Sequence, residues 1–159
     1  MTAFQQESFT SIWPEMSVLG AKHFAEVDGE VVDPRRPFRA DEATLERLNR
    51  IGAFQIFSAR VESRLVGYCS WNLSYDLESQ GLLIATQGAW YVQPGYGLTG
   101  LKLFRFSLTG LRGMGVRLVF PHHRLAGRST WRLGKWFERL GAQPEQVTYR
   151  LWLEDIKDA

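Results

Sequence analysis

The sequence of 159 residues contains a single cysteine, Cys69, which excludes an internal disulfide. It has no apolar run that approaches the ~20 residues of a membrane-spanning helix. Its N-terminus lacks the basic start and apolar stretch of a signal peptide, and no Cys and His spacing is typical of a zinc site. We therefore predict a cytoplasmic protein that has no membrane partner and holds no metal.

Acidic residues are absent from a long central segment. None of the 59 residues between Glu78 and Glu138 is acidic, while eight of them are Lys or Arg. Residues 1–78 carry a net charge of −4 and residues 138–159 carry −2, so the total of +2 hides the basic segment. Cations without neighbouring acids are typical of a surface that faces an anion.

Two kinds of anion fit this segment. Trp131 and Trp136 lie among the cations, so residues 102–139 could form a nucleic-acid-binding module that uses phosphate contacts and base stacking. The same charges could instead surround the phosphates of a small molecule. We favour the small molecule over nucleic acid, because a glycine-rich loop suited to phosphates lies beside the same cations.

Hydrophobic periodicity predicts a mixed α/β fold in one domain. Trp13-Pro14 is typical of a helix start, and Asp41 is expected to cap a second helix. Alternating patterns then predict strands, and two more helices show an apolar stripe. The predicted strands are 54–60, 65–75, 82–92, 116–122 and 147–153, and the later helices are 100–112 and 129–140.

The segment 90–103 closes a predicted strand, passes through a glycine-rich loop and opens a helix. Glycines let backbone N–H groups approach a ligand, and a helix N-terminus adds partial positive charge. Together these features predict a phosphate or pyrophosphate site. The plainer alternative is an ordinary strand–helix connection with turn glycines.

This segment resembles the acyl-CoA-binding motif of the GNAT family, the GCN5-related N-acetyltransferases. The run Phe137-Glu138-Arg139-Leu140-Gly141 is similar to a late segment of the same family, and the resemblance covers residues 52–153. Within the family the chain is most similar to short proteins of tailed bacteriophages. Those proteins have a His-x-x-Glu motif, matched by His23 and Glu26, and a His-x-Lys motif, matched from His122 onward.

The resemblance implies the GNAT fold, a central mixed sheet flanked by helices whose fourth and fifth strands, here 82–92 and 116–122, splay apart. It implies a single domain over residues 1–159, with a helical substrate side at 1–52 and a cofactor-binding core at 54–153. The implied reaction moves an acetyl group from acetyl-CoA to a primary amine by direct attack. If the gene belongs to a phage, the resemblance implies a location in the host cytoplasm. The resemblance is also consistent with a homodimer or a protein partner.

The resemblance also implies roles for particular residues. Glu26 or His122 would handle the proton of the amine, and His23 and Tyr75 would lie on the substrate side. The backbone of Trp90 and Val92 would pair with the pantetheine arm. Phosphates of acetyl-CoA would meet the amides of Gly97, Leu98, Thr99, Gly100 and Leu101 and the side chains of Lys102 and Arg105.

Three positions depart from the family pattern. The loop arginine of the family falls at Gly97, its frequent tyrosine acid falls at Phe137, and its frequent acidic base falls near Gly88. The alternative is therefore a catalytically degenerate GNAT-fold protein with a binding or structural role, in phage–host contact or in a virion. The plainer interpretation of His23 and Glu26 is a solvated i,i+3 pair on a helix.

Overall fold

The computed structural model describes residues 1–28, 37–123 and 130–146. The chain divides into two compact units, Met1–His122 and the part from His123 onward. Among the described residues, the first unit holds a five-stranded sheet with three helices, and the second holds one helix. The elements are β1 Thr2–Glu7, α1 Phe9–Asp28, α2 Glu42–Arg50, β2 Phe54–Val61, β3 Arg64–Tyr75, β4 Leu83–Val92, α3 Gly97–Gly113, β5 Leu118–Phe120 and α4 Thr130–Arg139.

The sheet has the order β1-β2-β3-β4-β5. The first four strands pair antiparallel with their neighbours, and β4 pairs parallel with β5 after the crossover through α3. The mixed α/β sheet is therefore confirmed. The predicted strands and helices from Asp41 to the end of β4 match the structure within a residue or two.

The N-terminal region differs from the prediction in two ways. Residues Thr2–Glu7 form an unpredicted edge strand, so the first 52 residues are not wholly helical. Helix α1 begins at Phe9 and not at Pro14, because Ser8 accepts a hydrogen bond from the Ser11 amide and so caps the helix. Pro14 is the sixth residue of the helix, so it lacks the amide that would donate to the Thr10 carbonyl in a regular helix.

The two faces of the sheet pack against different helices. The α1 face carries Phe54, Ile56 and Tyr68, which join Ile12 and Leu19 of α1 in one core. The α3 face carries Phe57, Cys69 and Trp71. The Trp71 ring packs at 5.5 Å from Phe104, and its Nε1 donates to Ser107 Oγ at 3.0 Å, so this face is tied to α3.

The second unit contains α4, which confirms the predicted helix to within one residue at each end. Within this unit Phe137 is buried, and the His123 ring lies 6.3 Å from it. Gly134 lets the His123 ring come close, since a Cβ there would lie 2.9 Å from His123 Nε2. Two predicted features lie outside the described residues. They are the last strand, 147–153, and Arg124, the third residue of the motif that begins at His122.

Candidate functional site

Strands β4 and β5 separate part of the way along β4. Their parallel register runs from Ile84 with Leu118 to Thr86 with Phe120 and then ends within the described residues. The next residue of the β5 side is Pro121, which has no N–H to continue the ladder. Residues 87–92 of β4 continue along β3, which is their partner strand in the described part of the chain. The splay of strands four and five is therefore confirmed.

Gln87 holds the point where the two strands part. Its buried side chain donates from Nε2 to the His122 carbonyl at 3.2 Å and accepts from the His122 amide at 3.4 Å. The Gln87 side chain thus replaces the next backbone-to-backbone pairing of β4 with β5 and keeps the two strands apart. The sequence carried no signal for this role, because Gln87 and His122 are 35 residues apart.

A β-bulge shapes β4 on its other side. Gly88 and Ala89 both lie opposite Ser70, because the register passes from Trp71 with Gln87 to Cys69 with Trp90. The Ser70 hydroxyl accepts from the Ala89 amide at 2.9 Å. A Cβ on Gly88 would lie 2.7 Å from Ser70 Oγ, so the bulge needs glycine there.

A tight turn leads from β4 into α3. Gly95 has a φ of +91°, and α3 begins at Gly97, three residues before the predicted start. Tyr96 caps the helix without a side-chain hydrogen bond, and the Gly100 amide donates to the Tyr96 carbonyl at 3.1 Å. Helix geometry therefore leaves the amides of Gly97, Leu98 and Thr99 as first-turn donors. Gly100 and Leu101, which are also predicted phosphate ligands, come after these three residues, where the helix itself uses the backbone amides.

Gly100 brings the start of α3 against β4. A Cβ on this residue would lie 2.8 Å from Val92 Cγ2 and 3.7 Å from Trp90 Nε1. Val92 also presses on Gly67 of β3, where an added Cβ would lie 2.2 Å from Val92 Cγ1. Two glycines thus let the helix start and the end of β4 meet closely beside the gap.

Lys102 and Arg105 lie three residues apart on α3, and both side chains are exposed. The ion pairs found among the described residues join Arg50 with Glu46 and Arg60 with Glu7 and Glu15, so neither α3 cation is neutralised there. Both therefore remain available to an anion near the first turns of the helix.

A cluster of titratable side chains lies on the α1 face. His23 Nδ1 lies 3.1 Å from the Tyr68 hydroxyl, and the His23 ring stacks on Tyr91 at 4.9 Å with an interplanar angle of 15°. The Tyr91 hydroxyl donates to Glu26 Oε1 at 2.8 Å. The structure therefore brings the predicted residues His23 and Glu26 together and adds two tyrosines that the sequence analysis missed.

Both tyrosines of the cluster are protonated at neutral pH. Burial, together with the hydrogen bond to Glu26, raises the pKa of Tyr91 to about 12. Burial, with a smaller contribution from Tyr91, raises the pKa of Tyr68 well above its ordinary value. Each phenol is thus a hydrogen-bond donor, and the carboxylate of exposed Glu26 receives one such bond.

Two other predicted residues lie away from this cluster. The side chain of His122 is exposed just past β5, and its backbone is held by Gln87. Tyr75 is 66% exposed at the end of β3. Strand alternation places Tyr75 on the opposite face from Tyr68, because Tyr75 lies an odd number of positions after Tyr68 in a regular part of β3.

In the described part of the chain, no three His, Cys, Asp or Glu side chains are grouped so that they could hold a metal ion. None of the helices that the structure describes is long and apolar enough to cross a membrane.

No protein-family model matches the chain, and no curated protein matches its sequence. Solved structures do match its fold. An aminoglycoside acetyltransferase, meta-AAC0020 from an uncultured soil metagenomic sample, is 15% identical with a TM-score of 0.71, and the match covers 96% of each chain. A ribosomal-protein-alanine N-acetyltransferase from Brucella melitensis biovar Abortus 2308 is 17% identical with a TM-score of 0.64, covering 96% of this chain and 100% of that one.

A third similar structure is a predicted acetyltransferase with acetyl-CoA from Clostridium acetobutylicum, 12% identical with a TM-score of 0.66, covering 99% of this chain and 100% of that one. All three matches extend over nearly the whole of both chains. This chain therefore has the GNAT fold of acetyltransferases.

Proposed function

We propose that this protein binds acetyl-CoA and transfers its acetyl group to a primary amine. The observation that carries the proposal is the position of the gap. Strand β4 leaves β5 at Gln87, and the part of β4 beyond this point leads directly into the turn and first amides of α3. A strand edge followed by a helix N-terminus suits an extended chain that ends in phosphates.

The residues beside the gap fit acetyl-CoA. The backbone of Trp90 and Val92 would pair with the pantetheine arm, as the resemblance implies. The first-turn amides of α3 and the exposed cations Lys102 and Arg105 would hold the phosphates, and no acidic residue occurs in the surrounding sequence to oppose them. Acetyl-CoA supplies an activated thioester, so the protein needs no covalent intermediate.

Glu26 is the proposed proton acceptor for the amine. The amine must lose a proton to attack a carbonyl carbon, and an exposed carboxylate is able to take that proton directly or through one water. The hydrogen bond from Tyr91 orients Glu26, and His23 stacked on Tyr91 fixes the tyrosine in turn. His122 stays a second, weaker prediction for the same task, because its side chain does not join this cluster.

Calorimetric titration of the full chain with acetyl-CoA tests the cofactor half of the proposal. We expect saturable binding, and no heat at millimolar ligand would overturn it. Thiol release with a panel of primary amines tests the chemistry. We expect Glu26→Gln to lower kcat about 100-fold with little change in acetyl-CoA affinity. The matched control Glu42→Gln, an exposed residue of α2, should keep full activity.

The degenerate alternative rests on a specific observation: neither β4 nor β5 carries a carboxylate, and Phe137 has no hydroxyl. Acetyl-CoA binding without thiol release for any amine would favour it. Proximity alone accounts for much of the rate of acyl transfer, so the missing groups do not exclude catalysis. The homodimer, the bacteriophage origin and the cytoplasmic location stay predictions.

The names of the similar structures include an aminoglycoside and a ribosomal-protein alanine among their acceptors. Two such different classes do not select an acceptor for this chain. The acceptor class has to come from the residues that this site presents.

A further inference from the structure

The bulge in β4 decides which face of the sheet the end of that strand presents. Side chains two or four residues apart share a face of a regular strand, so Tyr91 would lie on the same face as Gln87. Gln87 pairs with Trp71, whose ring packs on α3. Tyr91 instead lies in the core under α1, and it is the Trp90 ring that lies 4.7 Å from an aromatic ring of α3. The extra residue of the bulge therefore carries the Tyr91 side chain to the face that holds Glu26.

The bulge also decides which backbone groups of β4 face the gap. Before the bulge, the Leu83 carbonyl accepts from the Arg117 amide at 3.0 Å, so Leu83 and every second residue after it turn their backbone groups toward β5. After the bulge, the Gln93 amide donates to the Val66 carbonyl of β3 at 2.9 Å, so the residues one and three positions before Gln93 turn theirs away from β3. The backbone groups beyond the bulge that point to the gap are those of Trp90 and Val92.

The side chain of Ser70 on β3 holds the bulge in place. Ser70 is 2% exposed, and its hydroxyl accepts from the Ala89 amide at 2.9 Å and donates to the Ala89 carbonyl at 3.4 Å. A bulge leaves one residue without a regular ladder partner, and buried backbone groups need a partner. Gly88 makes room for the hydroxyl, because a Cβ there would lie 2.7 Å from Ser70 Oγ. A single side chain thus satisfies both backbone groups of the extra residue.

We propose that Ser70 is a positioning residue for the acetyl transfer. By holding the bulge, it turns the backbone of Trp90 and Val92 to the gap. The same hold carries the Tyr91 side chain to Glu26. This inference rests on the proposed function, in which that backbone pairs with the pantetheine arm and Glu26 accepts the proton of the amine. The hydroxyl acts through β4 and touches no reacting atom, so its loss should affect both halves of the site together.

Ser70→Ala removes the hydroxyl and leaves the buried amide and carbonyl of Ala89 without this partner. On the full chain we expect the affinity for acetyl-CoA and kcat for thiol release to fall about 10-fold each. The matched control is Ser58→Ala, at an equally buried strand serine on the same face whose hydroxyl donates to Glu7. It should lose stability and keep both values within about twofold. Equal functional losses in the two variants would show a merely structural role and overturn the inference.

A double variant separates positioning from loss of structure. If Ser70 acts on kcat through Tyr91 and Glu26, its hydroxyl should matter less once the Glu26 carboxylate is removed. At saturating acetyl-CoA we expect Ser70→Ala to lower kcat about 10-fold in the native chain and only about twofold in the Glu26→Gln chain. The same factor in both backgrounds would show that Ser70 does not act through Glu26, which contradicts the inference.

Amide hydrogen exchange, followed by nuclear magnetic resonance, tests the bulge without any ligand. The Ala89 amide should exchange slowly in the native chain and about 10-fold faster in Ser70→Ala. The Leu73 amide of β3, which donates to the Ala53 carbonyl at 2.8 Å, is the internal reference and should not change. If Ser70→Ala does not fold, Ser70→Cys replaces it in all measurements, because a thiol of similar size is a much weaker hydrogen-bonding group. Unchanged exchange at Ala89 would overturn the inference.

These measurements distinguish the role of Ser70 from the proposed function. If the native chain binds acetyl-CoA and Ser70→Ala binds it equally well, the role of Ser70 fails while acetyl-CoA binding stands. If the native chain does not bind acetyl-CoA, the proposed function fails, and the exchange rate at Ala89 then decides whether Ser70 holds the bulge.

Discussion

The two faces of one sheet do different work in this protein. On the α3 face, Trp71, Phe57 and Phe104 are almost wholly buried, and the titratable group buried among them is Cys69. On the α1 face, one ion-pair cluster surrounds Arg60 and a second cluster joins His23 to Glu26 through tyrosines. Both faces contribute packing, since Phe54, Ile56 and Tyr68 form a core with α1. The comparison teaches that the pH response and the candidate chemistry belong to the α1 face alone among the described residues.

The largest expected effect is a difference in unfolding free energy between substitutions at two consecutive residues of β3. Trp71 is 0% exposed on the α3 face, so Trp71→Ala should cost about 3–5 kcal/mol of unfolding free energy through the cavity it leaves. Asn72→Ala, at an exposed site on the other face, should stay within ~0.5 kcal/mol. Urea unfolding followed by tryptophan fluorescence and circular dichroism measures both. Similar losses at the two positions would contradict the difference in burial between them.

The ion pairs of the α1 face should make stability depend on pH. Burial would raise the pKa of Glu7, but hydrogen bonds from Arg60 and Ser58 lower it below its ordinary value of 4.5. A hydrogen bond from Arg60 likewise lowers the pKa of Glu15. A depressed pKa contributes stability that is present above pH 4.5 and is lost as pH falls through the folded value.

Arg60→Met should therefore cost about 3 kcal/mol at pH 7, where Glu7 is left charged and largely buried. The loss should shrink at pH 3, because burial without Arg60 favours the protonated form of Glu7 and no unpaired charge is then left in the variant. Arg50→Met breaks only the exposed pair with Glu46 and should cost about 0.3–0.5 kcal/mol. Denaturant unfolding at both pH values measures these losses. An undiminished loss for Arg60→Met at pH 3 would show that packing and not charge dominates.

Two buried glutamines, one on each strand beside Trp71, should differ in their effect on acetyl-CoA binding. Gln87 and Gln55 are both register partners of Trp71, on β4 and β2 respectively. Gln87→Leu should weaken acetyl-CoA binding about 10-fold, because the His122 backbone loses its partner at the vertex of the gap. Gln55→Leu should cost stability yet leave the affinity within twofold. Calorimetry gives both dissociation constants, and equal affinities would show that Gln87 does not set the gap.

The smallest expected effect concerns the Cys69 thiol. Burial raises the pKa of Cys69 to about 12, so almost no thiolate exists at pH 8. The folded protein should therefore not react with Ellman's reagent over the time of an assay, and one thiol per chain should appear in urea. Rapid reaction of the folded protein would mean that the α3 face opens readily.

Much of the fold was predictable because its signals are local. Asp41 followed by an amphipathic stretch produces α2, and Asp41 indeed accepts a hydrogen bond from the Thr44 amide at 3.0 Å. Strand β1 was missed because its short, polar sequence gains order mainly from pairing with β2 and from the Phe4–Phe106 contact, both with residues far along the chain. The predicted strand at 116–122 proved shorter, since Pro121 ends the ladder.

The residues of the candidate site likewise divide into those that were predicted from the sequence and those that were not. The family resemblance selected His23 and Glu26, and turn chemistry selected the glycine-rich turn, because a short motif and a turn both depend on neighbouring residues. Tyr68, Tyr91 and Gln87 could not be selected, since each acquires its role from a partner 35 to 65 residues away. Composition and periodicity thus predicted most of the elements and the segment in which cations collect. Only the tertiary structure decided which polar groups meet across the sheet, because side-chain contacts depend on strand register, and register is set by the packing of the whole fold.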